Sequence, residues 1–165
     1  MIEFTIFAKS VYMAYRGIKI KKGDSVAIDT SKQWGIYVKD SPYIPVPKKQ
    51  KNIASQSWFD ENGDDEFIPT EAYYEPIEAT IQFLYRGTIA QANTAIKSFY
   101  NYITNCWFSF YDEYHKIGRQ NVRLLEFPDE FKFTYESGNA SDDEIGLAEF
   151  TVTFKINDCV TDIVL

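Results

Sequence analysis

The sequence predicts an α+β, mainly β domain: an antiparallel β-sandwich or barrel with one flanking amphipathic helix. Three observations lead there. Apolar and polar residues alternate with period two in residues 77–85 and again in 149–156. Between them, residues 89–103 change to spacings of three and four. Aromatic side chains make up 17% of the chain, with thirteen Phe, twelve Tyr and three Trp, and such rings suit pleated sheets and interfaces. Period two places alternate side chains on opposite faces of a strand, whereas a three-four spacing gathers them on one face of a helix. A length of 165 residues fits one domain with a buried core, and neither an internal repeat nor a second domain is visible.

The chain opens with strand-like residues Ile2 to Ala8, followed by a mixed stretch from Val11 to Ile20. Lys21-Lys22-Gly23-Asp24 predicts a turn, because Gly accepts positive φ and Asp bonds its own backbone. Val26 and Ile28 predict one short strand and Trp34 to Val38 another. From Asp40 to Thr70 regularity stops. Pro42, Pro45 and Pro47 remove ladder donors and disfavour helix, so an extended loop or arm is expected at about 40–70. Ile77 to Tyr85 is a half-buried strand with Glu78, Thr80 and Gln82 facing out. Ile89, Ala92, Ala95, Ile96, Phe99, Tyr102 and Ile103 form one apolar helical stripe. Thr88 is the expected N-cap and Asn105 the closing residue. Cys106 to Tyr111 is the next strand, then a turn from Asp112 to Gln120 around Gly118. Asn121 to Phe127 and Phe131 to Tyr135 are strands split by Pro128-Asp129. A polar loop over 136–144 leads into the strand Phe150 to Ile156, and an apolar piece, Val160 to Leu165, comes last.

The formal net charge is -7. A nucleic-acid binder needs a basic face to displace counterions from phosphate, so sequence-specific nucleic-acid binding is not expected. An anionic membrane surface is disfavoured for the same reason, and no stretch reaches the length of a membrane span. The start of the chain, Met1-Ile2-Glu3-Phe4, lacks a basic region followed by an apolar run, so no signal peptide is expected. Cys106 and Cys159 with the single His115 do not make a zinc set. They are expected to be small apolar residues in a reduced compartment, although spacing leaves a disulfide open.

Two polar clusters invite a functional reading. Asp60, Asn62, Asp64, Glu66 and Glu71 fall at the ligand spacing of an EF-hand loop. The residue at the sharp turn is Asp65 where Gly is needed, and Gly63 comes too early, so a solvated acidic loop is expected in place of a Ca²⁺ site. Asp112, Glu113 and His115 carry groups capable of acid–base chemistry, but neighbours in a turn point in different directions, so a polar hairpin is expected. The eight glycines form no phosphate loop, and no nucleophile elbow is present. No catalytic residue, cofactor or metal is therefore expected. The aromatics of the 40–70 arm leave open a monomeric carbohydrate-binding β module that stacks sugars.

Residues 57–158 resemble proteins of tailed-phage tails, in particular the N-terminal β domain of distal tail proteins and their tail-tube relatives. The resemblance is carried by the loop Ser57-Trp58-Phe59-Asp60-Glu61-Asn62-Gly63-Asp64-Asp65-Glu66, the strand Ile77 to Tyr85, and the helix Ile89 to Ile103. It continues through Phe108-Ser109-Phe110-Tyr111-Asp112, the segment Tyr114 to Leu124 and the closing strand Phe150 to Asp158. It implies a structural protein of a phage or prophage tail, without catalytic residues, that forms a homo-oligomeric ring, a hexamer in this family. It further implies other tail proteins as partners and the virion tail as location, after synthesis in the bacterial host cytoplasm. The residues expected at the subunit interface are Tyr43, Ile44, Val46, Trp58 and Phe59, since the arm holds more apolar material than a free loop normally exposes.

Overall fold

The computed structural model describes residues 16–40, 50–60, 62–135 and 144–165. The predicted strand Ile2 to Ala8 and most of the polar loop over 136–144 lie outside them. In chain order the elements are β1 (Lys19–Lys21), β2 (Ile28–Asp29), α1 (Thr30–Trp34), β3 (Ile36–Asp40), β4 (Ser55–Ser57) and β5 (Asp64–Glu66). Then come β6 (Ile77–Thr88), α2 (Ile89–Ile103), β7 (Phe108–Asp112), β8 (Ile117–Glu126), β9 (Phe133–Tyr135) and β10 (Ile145–Asp158).

The frame is the pairing of β6 with β10, antiparallel over twelve residue pairs from Ile145↔Thr88 to Ile156↔Ile77. Period two makes this register self-consistent. Phe83 faces Phe150, Ile81 faces Val152 and Ala79 faces Phe154 on the buried side, while Thr80 and Thr153 meet on the outer side. A slip of one residue would turn every one of these side chains to the wrong face. The sheet order is β2-β1-β7-β8-β10-β6-β3, with β9 beside β10 where β8 has diverged. All its pairings are antiparallel. The sheet curls into a half-barrel, and its far end returns towards its beginning: Val38 of β3 donates its N–H to Arg16 O at 2.8 Å.

Helix α2 fills the open side. Its buried residues are Ala92, Ile96, Phe99 and Ile103, and the other three residues of the predicted stripe, Ile89, Ala95 and Tyr102, are half-buried. Phe99 is fully buried and meets Trp34 edge-on at 5.5 Å and Phe83 at 5.6 Å. Complete burial of one such ring stabilises by roughly 1.5–3 kcal/mol before packing is counted. Thr88 stands at the N-cap in extended conformation but makes no side-chain capping bond. The last helical turn is closed by Thr104, whose N–H and hydroxyl both reach Tyr100 O. Asn105 does adopt positive φ, 54°, one residue beyond that cap.

Several boundaries depart from expectation. Among the described residues there are two helices, where the sequence predicts one. Asp29 caps α1 by accepting the Ser31 and Lys32 N–H groups, and Gly35 ends it at φ 64°. Trp34 therefore closes a helical turn, and the strand starts only at Ile36. The short run Thr30–Trp34 holds no periodic stripe, so the caps alone announce it. Val26 is 85% exposed and outside β2. The turn between β7 and β8 is confined to 113–116, because β8 already begins at Ile117. Gly118 is a strand residue whose missing side chain makes room for the chain end: a Cβ there would meet Ile163 O at 2.2 Å. Residues 159–165 cross the outer face as a strap, held by Lys19 Nζ on Leu165 O at 2.8 Å and by the buried Arg119 on Asp162.

Candidate functional site

The 40–70 arm holds regular structure. Among the described residues, strands β4 and β5 pair only with each other, with Ser55↔Glu66, Gln56↔Asp65 and Ser57↔Asp64 in register. The ribbon continues towards its base through Phe67 N–H on Ala54 O at 3.0 Å, Lys51 N–H on Tyr73 O at 2.7 Å and a bridge between Gln50 and Tyr74. At its tip Gly63 adopts φ 100°, a value suited to Gly. Every residue of both strands is exposed. A two-stranded ribbon without a buried face is marginal in water, so the arm gains little from the body that carries it.

Of the predicted interface residues, Trp58 is 47% exposed and Phe59 completely so. Tyr43, Ile44 and Val46 lie outside the described residues. Sequence reasoning missed Phe67 and Ile68 on the returning side, both 72% exposed. Their signal was present in the pair's position between the acidic run and Pro69. Trp58 is oriented by its indole N–H, which donates to Asp65 Oδ2 at 3.2 Å.

The carboxylates of the arm do not converge. On extended β5, Asp64 and Glu66 face one way and Asp65 the other, and side chains two apart on a strand are separated by roughly 6.8 Å. Among the described residues no cluster of three His, Cys, Asp or Glu side chains is placed to hold a metal ion.

At the β7–β8 turn the structure brings Asp112 and His115 together and sends Glu113 elsewhere. Asp112 Oδ2 lies 2.7 Å from His115 Nδ1, while Oδ1 accepts the Tyr114 and His115 N–H groups at 2.8 and 3.2 Å. Glu113 pairs with Lys19 at 2.6 Å, and the hydrogen bond and charge of that lysine hold its carboxyl below the usual range. The buried carboxylate of Asp112 thus closes a turn. Cys106 and Cys159 are free thiols. Sγ of Cys106 donates to Tyr102 O, and Cys159 is buried against Glu75 O.

One open cleft of about 620 Å³ runs between α2 and the β8–β9 connection. Its lining is mainly apolar, with Ile96, Tyr100, Phe127 and Phe131, and includes the polar Asn93, Lys97 and Asp129. No family model matches this chain, and no curated protein matches it.

Proposed function

We propose that this protein is a structural, non-catalytic component of a phage or prophage tail, a distal-tail or tail-tube-like protein. It assembles with itself into a ring, a hexamer by resemblance to that family, and docks other tail proteins. Its place is the virion tail, after synthesis in the host cytoplasm. The observation that carries the reading is the β4–β5 ribbon, which buries no face of its own and presents Trp58, Phe59, Phe67 and Ile68 to solvent. Apolar groups of this size gain free energy when a neighbour covers them. An arm that reaches a different surface of the next subunit makes a head-to-tail contact, and such contacts close into rings. The acidic composition is compatible with a protein that lets DNA pass without gripping phosphate.

The test is the native mass of the full chain across a range of concentrations, beside a variant in which residues 55–66 are replaced by Gly-Ser-Gly. Ala54 and Phe67 are already hydrogen-bonded, so the short turn leaves the body undisturbed. A closed oligomer from the full chain and a folded monomer from the variant are expected. A full chain that stays monomeric at high concentration and within purified tail particles overturns the reading. Glycan binding by that monomer, lost in Trp58→Ala, would establish the sugar-binding module instead.

A further inference from the structure

The net charge of this chain is unevenly placed. Residues 50–74, the arm, hold six acidic side chains and one basic. Residues 16–34, which build β1, β2 and α1, hold five basic side chains and two acidic. The acidic pair is already engaged or peripheral, since Asp29 caps α1 and Asp24 lies in the β1–β2 turn. On β1, Lys19 and Lys21 stand two residues apart on the outer face, because Ile18 and Ile20 point into the core. On β5, Asp64 and Glu66 stand at the same two-residue spacing on one face of the ribbon. Among the described residues neither of these carboxylates has an ion-pair partner, nor have Lys21 and Lys32. Lys32 and Lys19 open onto one cleft of about 470 Å³, which is also lined by Asp29 and by Glu113, the ion-pair partner of Lys19.

The same region carries apolar surface. Val26 is 85% and Trp107 50% exposed. Extending the register of β1 with β2 puts Val26 opposite Lys22, and extending that of β1 with β7 puts Trp107 opposite Gly23, on the other side of the hairpin tip. Lys22 Nζ lies 4.2 Å from the centre of the Tyr102 ring. The tip of the β1–β2 hairpin is therefore cationic and aromatic, where the arm is anionic and aromatic.

We propose that the arm of one copy of this chain lies along the outer face and tip of the β1–β2 hairpin of a second copy. Asp64 and Glu66 face its lysines, and Trp58 and Phe59 cover Val26 and Trp107. This rests on the self-assembly proposed above and names the surface that receives the arm. Opposite charges at such a contact steer encounter and set register, and the apolar residues supply the burial. Among the described residues of one chain the two arm strands pair only with each other.

Charge exchange between two variants tests the proposal. Lys21→Glu with Lys22→Glu makes the receiving surface acidic, and Asp64→Lys with Glu66→Lys makes the arm basic. Each variant alone sets like charges against each other in a self-contact and is expected to self-associate at least about tenfold more weakly than wild type, about 1.4 kcal/mol. Mixed in equal amounts, they restore opposite charges at every contact and are expected to co-assemble, as read by native mass and sedimentation. Raising salt from about 0.05 to 0.5 M weakens the wild-type assembly. Lys21→Glu with Lys32→Glu serves where the first pair perturbs folding, with near-ultraviolet dichroism as the check. If wild type assembles and both folded variants assemble equally well, or the mixture fails to, the receiving surface is wrong while self-assembly stands. A wild type that never assembles removes both.

Discussion

The half-barrel and the ribbon use the same kind of residue in opposite ways. In the body, Phe83, Phe99 and Phe154 are essentially inaccessible, and their rings meet across β6, β10 and α2, with Phe83 at 5.6 Å from Phe99 and 6.3 Å from Phe154. In the ribbon, Trp58, Phe59, Phe67 and Ile68 stand in solvent. The difference lies in what stands opposite. A ring on β6 has a strand on each side and a helix above it, whereas a ring on the ribbon has one partner strand and water. Aromatic content alone therefore does not separate core from interface. The number of layers available to each segment does.

The largest test of that contrast is Phe99→Ala. Removing a ring from the junction of α2, α1 and the sheet is expected to cost about 3–5 kcal/mol through lost burial and a cavity. Chemical denaturation measures it, and an unchanged midpoint would show that α2 does not close the barrel as described. A second test compares two glycines of positive φ. At Gly35 (φ 64°) a Cβ would meet Arg86 O at 2.6 Å, while at Gly63 (φ 100°) nothing lies within 4 Å. Gly35→Ala is expected to destabilise the body by roughly 1–3 kcal/mol. Gly63→Ala disturbs the ribbon tip alone and leaves the thermal transition of the body in place. Equal effects would mean that ribbon and body unfold as one unit.

A smaller effect comes from Asp158, where β10 passes into the strap. Burial pushes its carboxyl up, but hydrogen bonds from Gln120, Thr161 and Val160 outweigh burial and leave it below the ordinary value. A carboxyl lowered in the native state stabilises fully above its unfolded pKa, and that contribution fades as pH falls through the lower native value. The stability difference between wild type and Asp158→Asn is thus expected to be constant above the ordinary carboxylate range and to shrink as pH falls through and below it. A difference independent of pH would show that Asp158 acts through packing and not through its charge. The smallest stability effect is expected at Phe59→Ala, within about 0.5 kcal/mol, since an exposed ring makes no core contact. The same substitution is expected to weaken assembly. A large loss of stability in the monomer would place Phe59 against the body and end the contrast.

The span of helix α2 was legible, though its closing residue is Thr104 and not Asn105, because fifteen residues of consistent spacing outweigh local ambiguity. The alternation of β6 and its inward face were legible for the same reason. The five-residue α1 was not, since one turn is too short to show a period. The β4–β5 ribbon was hidden as well. Its strands are three residues each and solvated on both faces, so no alternation of hydrophobicity marks them. The Asp112–His115 pair was visible as neighbours, but its role in closing a turn follows from where the backbone N–H groups point.

The sequence by itself determined the mainly β class, the identity of the long central helix and the faces of the two longest strands. Periodicity encodes each of these within one segment. The tertiary structure decided which strand lies beside which. It also curled the sheet until Val38 met Arg16, laid residues 159–165 over Gly118 and, among the described residues, left the arm strands paired with nothing but each other. Those outcomes join residues far apart in the chain, and no local pattern records which distant segment completes a hydrogen-bonded edge or fails to cover a face.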